Sequence, residues 1–239
     1  KKVTGSGDDT VTAYIADITL TDATALRSAF AKNTYGKLII ELPSVMAKNV
    51  GAVFAINTDF YGFRDTGITI RNGVTYRDKG ARQGLAFRRD GTAMLYDETA
   101  TDAQHLIADG VWNTLSFGPT LVRDGTALDG IEEFEIGDVL TNGKKTTIQG
   151  QQPRTGIGVI GRNHFVVIVV DGRNPGYSRG VTMTEFAQMF VDAGTTLAYN
   201  LDGGGSATMY FNGAVINQPR NGSNVQKERA SSDIFYIAK

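Results

Sequence analysis

The spacing of hydrophobic and polar positions changes several times along the chain, and each change marks an element. "TVTAYIADITL" reads as a strand, and "TDATALRSAFAK" after it as a helix opened by a Thr21 or Asp22 cap. "PSVMAKNV" predicts a short helix with proline in its first turn, feeding a buried strand "GAVFAIN". "GLAFRRDGTAMLY" predicts a hairpin around Asp90-Gly91, "ATDAQHLIADG" a helix, and "WNTLSFGPTLVRDG" a return to strand. Farther on, "TGIGVIGRNHFVVIVVDGR" reads as two strands, the second apolar on both faces. The clearest helix is "TMTEFAQMFVDAG": Thr182 and Glu185 are spaced as a capping box, Met183, Phe186, Ala187 and Phe190 form one stripe, and Gly194 stops it. "TTLAYNL" and "ATMYFNG" are strands on either side of "DGGGS".

Helices here alternate with hairpins as well as with single strands. That pattern predicts an α+β fold, a single domain over residues 1–239 with a mixed, largely antiparallel β-sheet flanked by helices. Residues 129–152 lack clear periodicity and run from acidic "GIEEFEIGD" to basic "NGKKTT"; the stretch reads either as a functional lid or as a variable surface excursion.

Charge narrows the partners. Twenty-four basic residues stand against 25 acidic ones, and no basic stripe interleaved with aromatics appears, so nucleic acid is not an expected partner. The longest apolar run, "HFVVIVV", is strand-length and far short of the roughly 20 residues a membrane helix needs. Without cysteine there is no disulfide, thiolate metal site or cysteine nucleophile. The chain begins at Lys1, and the expectation is an extracellular or cell-surface protein whose leader or anchor lies outside this segment. Composition leaves the oligomeric state open.

The run Gly203-Gly204-Gly205 is more glycine than a turn needs, which suggests that backbone must closely approach something. It fits neither a dinucleotide fingerprint, a phosphate loop nor a nucleophile elbow. Polar groups end other buried strands in the same way: Asn57 and Asp59 after one, Arg154 and Thr155 before another, Asp171 and Arg173 after a third, and Asn200, Asp202 and Ser206 around the glycines. Singly, each passes as an ordinary turn or surface residue, as do Asn217 and Arg229. With only His105 and His164 in the chain, neither in a triad or zinc pattern, carboxylates are the expected acid-base groups and arginines the expected anion clamp. No cofactor is expected; a divalent cation such as calcium or magnesium on Asp59, Asp171 or Asp202 has no calcium-loop spacing behind it.

"DGRNPGYSRGVTMTEFAQMFVDAGTTLAYNLDGGGSATMYFNGAVINQP" and "ERASSDIFYI" closely resemble the phosphodiester glycosidase family. "AINTDFYG", "TGITIRNG", "SFGPTLVRDG" and "PRTGIGV" fall upstream in the family's order, so the resemblance covers about residues 55–237. It implies hydrolysis of a sugar-1-phosphodiester, with N-acetylglucosamine-1-phosphodiesters and cell-wall or exopolysaccharide glycan phosphodiesters as candidate substrates, by a bacterial or phage member. It further implies substrate-binding roles for Asn57, Arg154, Thr155, Arg173, Asn200, Gly203, Gly204, Gly205, Ser206, Asn217 and Arg229. Asp59 is added by its position beside Asn57, at the point where Asn57-Thr58-Asp59-Phe60-Tyr61 departs from the family's Asn-Gly-Gly-Phe-Phe. Chemistry and resemblance together make Asp202 the expected nucleophile or base and Asp171 its partner or orienter. Two other readings stay open: a wall-glycan or teichoic-acid binding module, and a metal-assisted phosphodiesterase.

Overall fold

The computed structural model describes residues 1–136, 146–220 and 227–238. Seven strands build the frame of the site: β1 (Val11–Thr19), β2 (Ala52–Asn57), β3 (Arg154–Gly161), β4 (His164–Val170), β5 (Leu197–Asn200), β6 (Met209–Phe211) and β7 (Asp233–Ala238). Three α-helices accompany them, α1 (Pro43–Asn49), α2 (Ala103–Ala108) and α3 (Met183–Asp192).

The apolar run of β4 shows why the layers stack as they do. Its alternate residues Phe165, Val167 and Val169 enter one core with Phe54, Ile56, Met209 and Phe235, whereas Val166, Ile168 and Val170 enter another with Met183, Phe186 and Phe190 of α3. β4 thus lies in a sheet buried on both faces. That sheet has seven strands and runs from Lys2–Thr4 through β1, β4, β3 and β5 to Thr120–Arg123 and Thr126–Ala127. A second, five-stranded sheet packs on it, in the order Ala214–Val215, β6, β2, β7, Arg27–Phe30. On the outer face of the second sheet, Met46 and Ala47 of α1 pack with Ala55, Tyr210 and Ile234. The result is a helix–sheet–sheet–helix stack, with α2 against a smaller three-stranded sheet to one side. All registered strand pairs among the described residues are antiparallel.

α3 starts at Thr182, whose hydroxyl accepts from the Glu185 amide while the Glu185 carboxylate accepts from the Thr182 amide, the reciprocal cap its spacing predicts. The helix lies very close to β3. A Cβ on Gly158 would sit 2.7 Å from the Phe190 ring, so glycine is what lets the phenyl rings of α3 touch the strand that delivers Arg154 and Thr155.

The helix expected over residues 21–32 does not form. Asp22 does cap a single 3₁₀ turn, Ala23–Ala25, but Arg27–Phe30 then pairs along its length with β7, and the Ser28 amide donates to Asn72. Sheet pairing with a distant strand outweighs local helix preference here. In the expected lid, Ile131–Glu133 is a 3₁₀ turn and Glu135–Ile136 pairs with Thr146–Thr147; its centre, 137–145, lies outside the described residues.

Candidate active site

Antiparallel pairing gathers the polar strand ends at one rim. The start of β3 lies beside the ends of β4 and β5, since Arg154 is opposite Val170 and Gly156 opposite Asn200, and the end of β2 lies beside the start of β7, with Asn57 opposite Ile234. Asn57 links the two sheets. Its Nδ2 donates to the Asp202 carbonyl at 2.6 Å, and its Oδ1 accepts from the Thr155 hydroxyl at 2.9 Å and from the Thr208 amide at 3.1 Å.

Asp202 follows β5, its amide donating to the Thr58 carbonyl at 3.1 Å. Its side chain is 16% exposed, and its Oδ2 accepts from Arg229 Nη2 at 3.3 Å. The same guanidinium donates to the Ser206 hydroxyl at 2.7 and 2.9 Å. Burial pushes the Asp202 carboxyl above its ordinary range, against the pull of the Arg229 charge and the Ser206 hydroxyl. Because the folded chain then holds this proton more tightly than the unfolded one, Asp202 weakens the fold as pH rises through the gap between the two values. Asp202→Asn is therefore expected to melt above the wild type at pH 7, the difference closing as pH falls below about 4; calorimetry across that range checks it.

Two cavities share Asp202 and Arg229. One, of about 270 Å³, is walled by Phe60, Phe63 and Ile40 on its apolar side and by Asn57, Thr58 and Ser206 on its polar side. The rings of Phe60 and Phe63 stack at 4.5 Å. The other, of about 150 Å³, is cationic and is lined by Arg154, Arg173, Arg229, Asn200, Gly203 and Gly204. Arg154 is buried and, among the described residues, is anchored by carbonyls, those of Ile148, Gly150 and Val181 at 2.6, 2.7 and 3.1 Å, and burial lowers its pKa to about 10. Arg173, in a left-handed backbone conformation, donates twice to Gln152 Oε1; burial and the neighbouring Arg229 lower its pKa. The Asn200 Nδ2 donates to the Gly118 carbonyl, while its buried Oδ1 has no hydrogen-bond partner among the described residues.

The glycine run makes a 3₁₀ turn, Gly204–Ser206. The Gly204 amide donates to the Pro153 carbonyl at 2.8 Å and so faces protein, where a substrate contact was expected. Gly204 has φ +58°, and a Cβ there would lie 3.1 Å from Arg173 Nη2. Gly204→Ala is expected to cost about 1 kcal/mol in backbone strain and to push Arg173 aside. A fall in kcat/KM of about 10- to 100-fold with the fold kept is the expected outcome, read by steady-state kinetics beside a melting curve.

Other expected site residues are placed in the frame. The Asp171 carboxylate lines neither of the two cavities; it accepts from Asn217 Nδ2 at 2.9 Å, the Gln218 amide at 3.0 Å and the Tyr177 hydroxyl at 3.0 Å, and burial raises its pKa. Asn217 in turn holds the Ala207 carbonyl and the Met209 amide. Asp59 is buried against Arg71 at 2.8 Å and takes the Ser116 amide. Among the described residues no three or more His, Asp or Glu side chains are grouped to hold a metal ion, so Asp59, Asp171 and Asp202 are not one ligand set. His105 and His164 pair with Asp102 and Asp17, apart from both cavities. Thr58, Phe60, Phe63 and Asp233 line the larger cavity without having been singled out from the sequence. Phe60 stands at a phenylalanine of the family's Asn-Gly-Gly-Phe-Phe, and both phenylalanines come soon after the polar end of a buried strand.

The stack defines an α+β domain whose strand ends converge on one carboxylate between an apolar-walled cavity and a cationic one. The family profile described as phosphodiester glycosidase matches residues 50–238, and the chain belongs to that family. It is 32% identical over 205 residues to the SPbeta prophage-derived uncharacterized protein YomE of Bacillus subtilis (strain 168), covering 81% of this chain and 29% of that one. It is 27% identical over 185 residues to the Bos taurus N-acetylglucosamine-1-phosphodiester alpha-N-acetylglucosaminidase, covering 72% of this chain and 34% of the relative. The chain thus spans about a third of the length of these curated relatives. The zebrafish N-acetylglucosamine-1-phosphodiester alpha-N-acetylglucosaminidase catalytic domain, auto-inhibited by its pro-peptide, shares the fold with TM-score 0.69 at 20% identity, over 100% of this chain and 88% of that one.

Proposed function

We propose that the chain hydrolyses a sugar-1-phosphodiester, an N-acetylglucosamine-1-phosphodiester or a wall or exopolysaccharide glycan phosphodiester, releasing the sugar. The observation that carries this reading is the position of Asp202, on the wall shared by a half-apolar cavity of sugar size and a cavity lined by three arginines. The sugar ring occupies the first against Phe60 and Phe63, and the phosphate the second against Arg154, Arg173 and Arg229. The anomeric carbon then lies at Asp202. The bond from that carbon to the phosphate oxygen breaks with its electron pair leaving on phosphate, and the arginines stabilise the charge that develops there. Water supplies the new oxygen on carbon, with Asp202 acting as nucleophile or as base. A phosphomonoester leaves readily enough that one carboxylate suffices, and Asp171 orients the chain after the glycine turn. A substrate in wall or capsule glycan places the protein outside the cell or at its surface.

Incubation of an N-acetylglucosamine α-phosphodiester in ¹⁸O-water tests the reading by mass spectrometry. The expected result is label in the released sugar. Label in the phosphate would show P–O cleavage and overturn it, and absence of product across a panel of wall-polymer phosphodiesters would leave a glycan-binding module.

A further inference from the structure

Behind the larger cavity lies a charged cluster that the reaction above does not use. Asp59, Arg71 and Asp233 have side chains only 1% exposed, and they come from three separate elements: the turn after β2, the strand Thr69–Arg71 and the start of β7. Arg71 joins the two acids, Nη2 to Asp59 and Nε to Asp233, each at 2.8 Å, and lies over the rings of Tyr61 and Phe235. The other Asp59 oxygen takes the Ser116 amide, and Asp233 accepts from the Ser28 and Thr58 hydroxyls. Such a cluster is more than a stack of strands needs, because two acids and one base leave a buried excess of negative charge.

Its contacts lead to the cavity. Thr58 donates its hydroxyl to Asp233, while its own carbonyl accepts the amide of Asp202. One residue therefore connects the cluster to the backbone of the acid at the site. Thr58 and Asp233 also line the larger cavity themselves, although Asp233 spends both carboxylate oxygens on protein donors. The geometry points to Asp59, Arg71 and Asp233 as one buried positioning unit, which sets Thr58 and through Thr58 holds Asp202 in place. None of the three is a catalytic residue; each acts through its neighbour. The kinetic part of this inference rests on the hydrolytic function proposed above, whereas its structural part does not.

The groups facing the Asp233 carboxyl are Arg71, Asp59, the Tyr61 phenol and the hydroxyls of Thr58 and Ser28. Burial and the Asp59 charge push Asp233 up against the pull of Arg71, and burial pushes the Tyr61 phenol up as well.

Two readouts in the whole chain test the unit. The first is the titration of the Asp202 carboxyl, followed by carbon NMR and assigned by its loss in Asp202→Asn; it needs no substrate. Thr58→Val keeps the side-chain volume and removes the hydroxyl, and Thr58→Ser keeps the hydroxyl. Expected is a downward move of the Asp202 midpoint toward the ordinary carboxylate range in Thr58→Val and in Asp233→Asn, as a loosened turn admits water, with the wild-type midpoint restored in Thr58→Ser. An Asp202 midpoint unmoved in Thr58→Val would overturn the inference, as would a serine variant that behaves like the valine one. The second readout is the kinetic split on the N-acetylglucosamine α-phosphodiester. A drop in kcat of about 100-fold with KM held within about threefold is expected for Thr58→Val, again rescued by serine; a loss carried by KM alone would overturn it. Should the wild-type chain turn over no phosphodiester, the proposed reaction fails by itself, and the titration alone decides for or against the positioning unit.

Discussion

Asp202→Asn should lower kcat by about 10³-fold, the range that removal of a positioned acid-base group commonly produces, with the fold kept. Among the described residues, the other two candidate acids are already committed. Asp171 is held by Asn217, Gln218 and Tyr177, and Asp233 is held by Thr58 and Arg71. Asparagine is nearly isosteric and can still accept from Arg229, so the turn should survive the exchange and the loss should fall on the chemical step. Asp171→Asn provides the contrast. It replaces one of the two oxygens that accept from Asn217, Gln218 and Tyr177 by an amide nitrogen that can only donate. The buried donors left without an acceptor should outweigh what neutralising the carboxylate gains, so its loss of activity should come with a lower melting temperature, where Asp202→Asn brings none at neutral pH. Kinetics and melting curves on the two variants side by side make the check. Equal activity losses would reject Asp202 as the reacting carboxylate.

The largest expected effect on stability comes from Arg71→Met. Removing the arginine leaves Asp59 and Asp233 facing each other with no cation between them, and breaking a buried ion pair from one side commonly costs about 3–5 kcal/mol. For a domain of this size each kcal/mol corresponds to about 2–4 °C in Tm, so a fall of roughly 10 °C is expected. Because the two acids then have every reason to take up protons, the deficit should narrow as the pH is lowered. Thermal melts at pH 7 and pH 4.5 supply the measurement, and a deficit independent of pH would mean that the acids are not the source of the strain.

What could be read from the sequence depended on how far apart the interacting residues lie along the chain. Helix α3 carries its own evidence, since Thr182 and Glu185 cap each other within one turn and the apolar stripe fixes the face it buries. Asp202, Ser206 and the glycines stand within five residues of one another, and the structure keeps them together beside Arg229. Asp59 and Asp171, by contrast, look the same as Asp202 in sequence: each is an acid directly after a buried strand. What separates them is the partner opposite, Arg71 for one and Asn217 for the other, and neither pairing has a local signature. Asp233 has no local signature either, because only the pairing of β7 with β2 places it near Thr58. Arg27–Phe30 carries a helix-like local pattern but is a strand, because its register is set by residues about two hundred positions away.

The glycine turn carries one more consequence. Its backbone is the most freely moving stretch an unfolded chain can have, yet in the folded protein Asp202, Gly204 and Thr208 all donate their amides across to other segments, to Thr58, Pro153 and Asn57. The conformational entropy of that segment is therefore given up once, when the two sheets close on each other, and not again at every turnover. In the hydrolysis proposed above, a substrate arriving at Asp202 would meet a surface already ordered, leaving its binding free energy for the reacting bond.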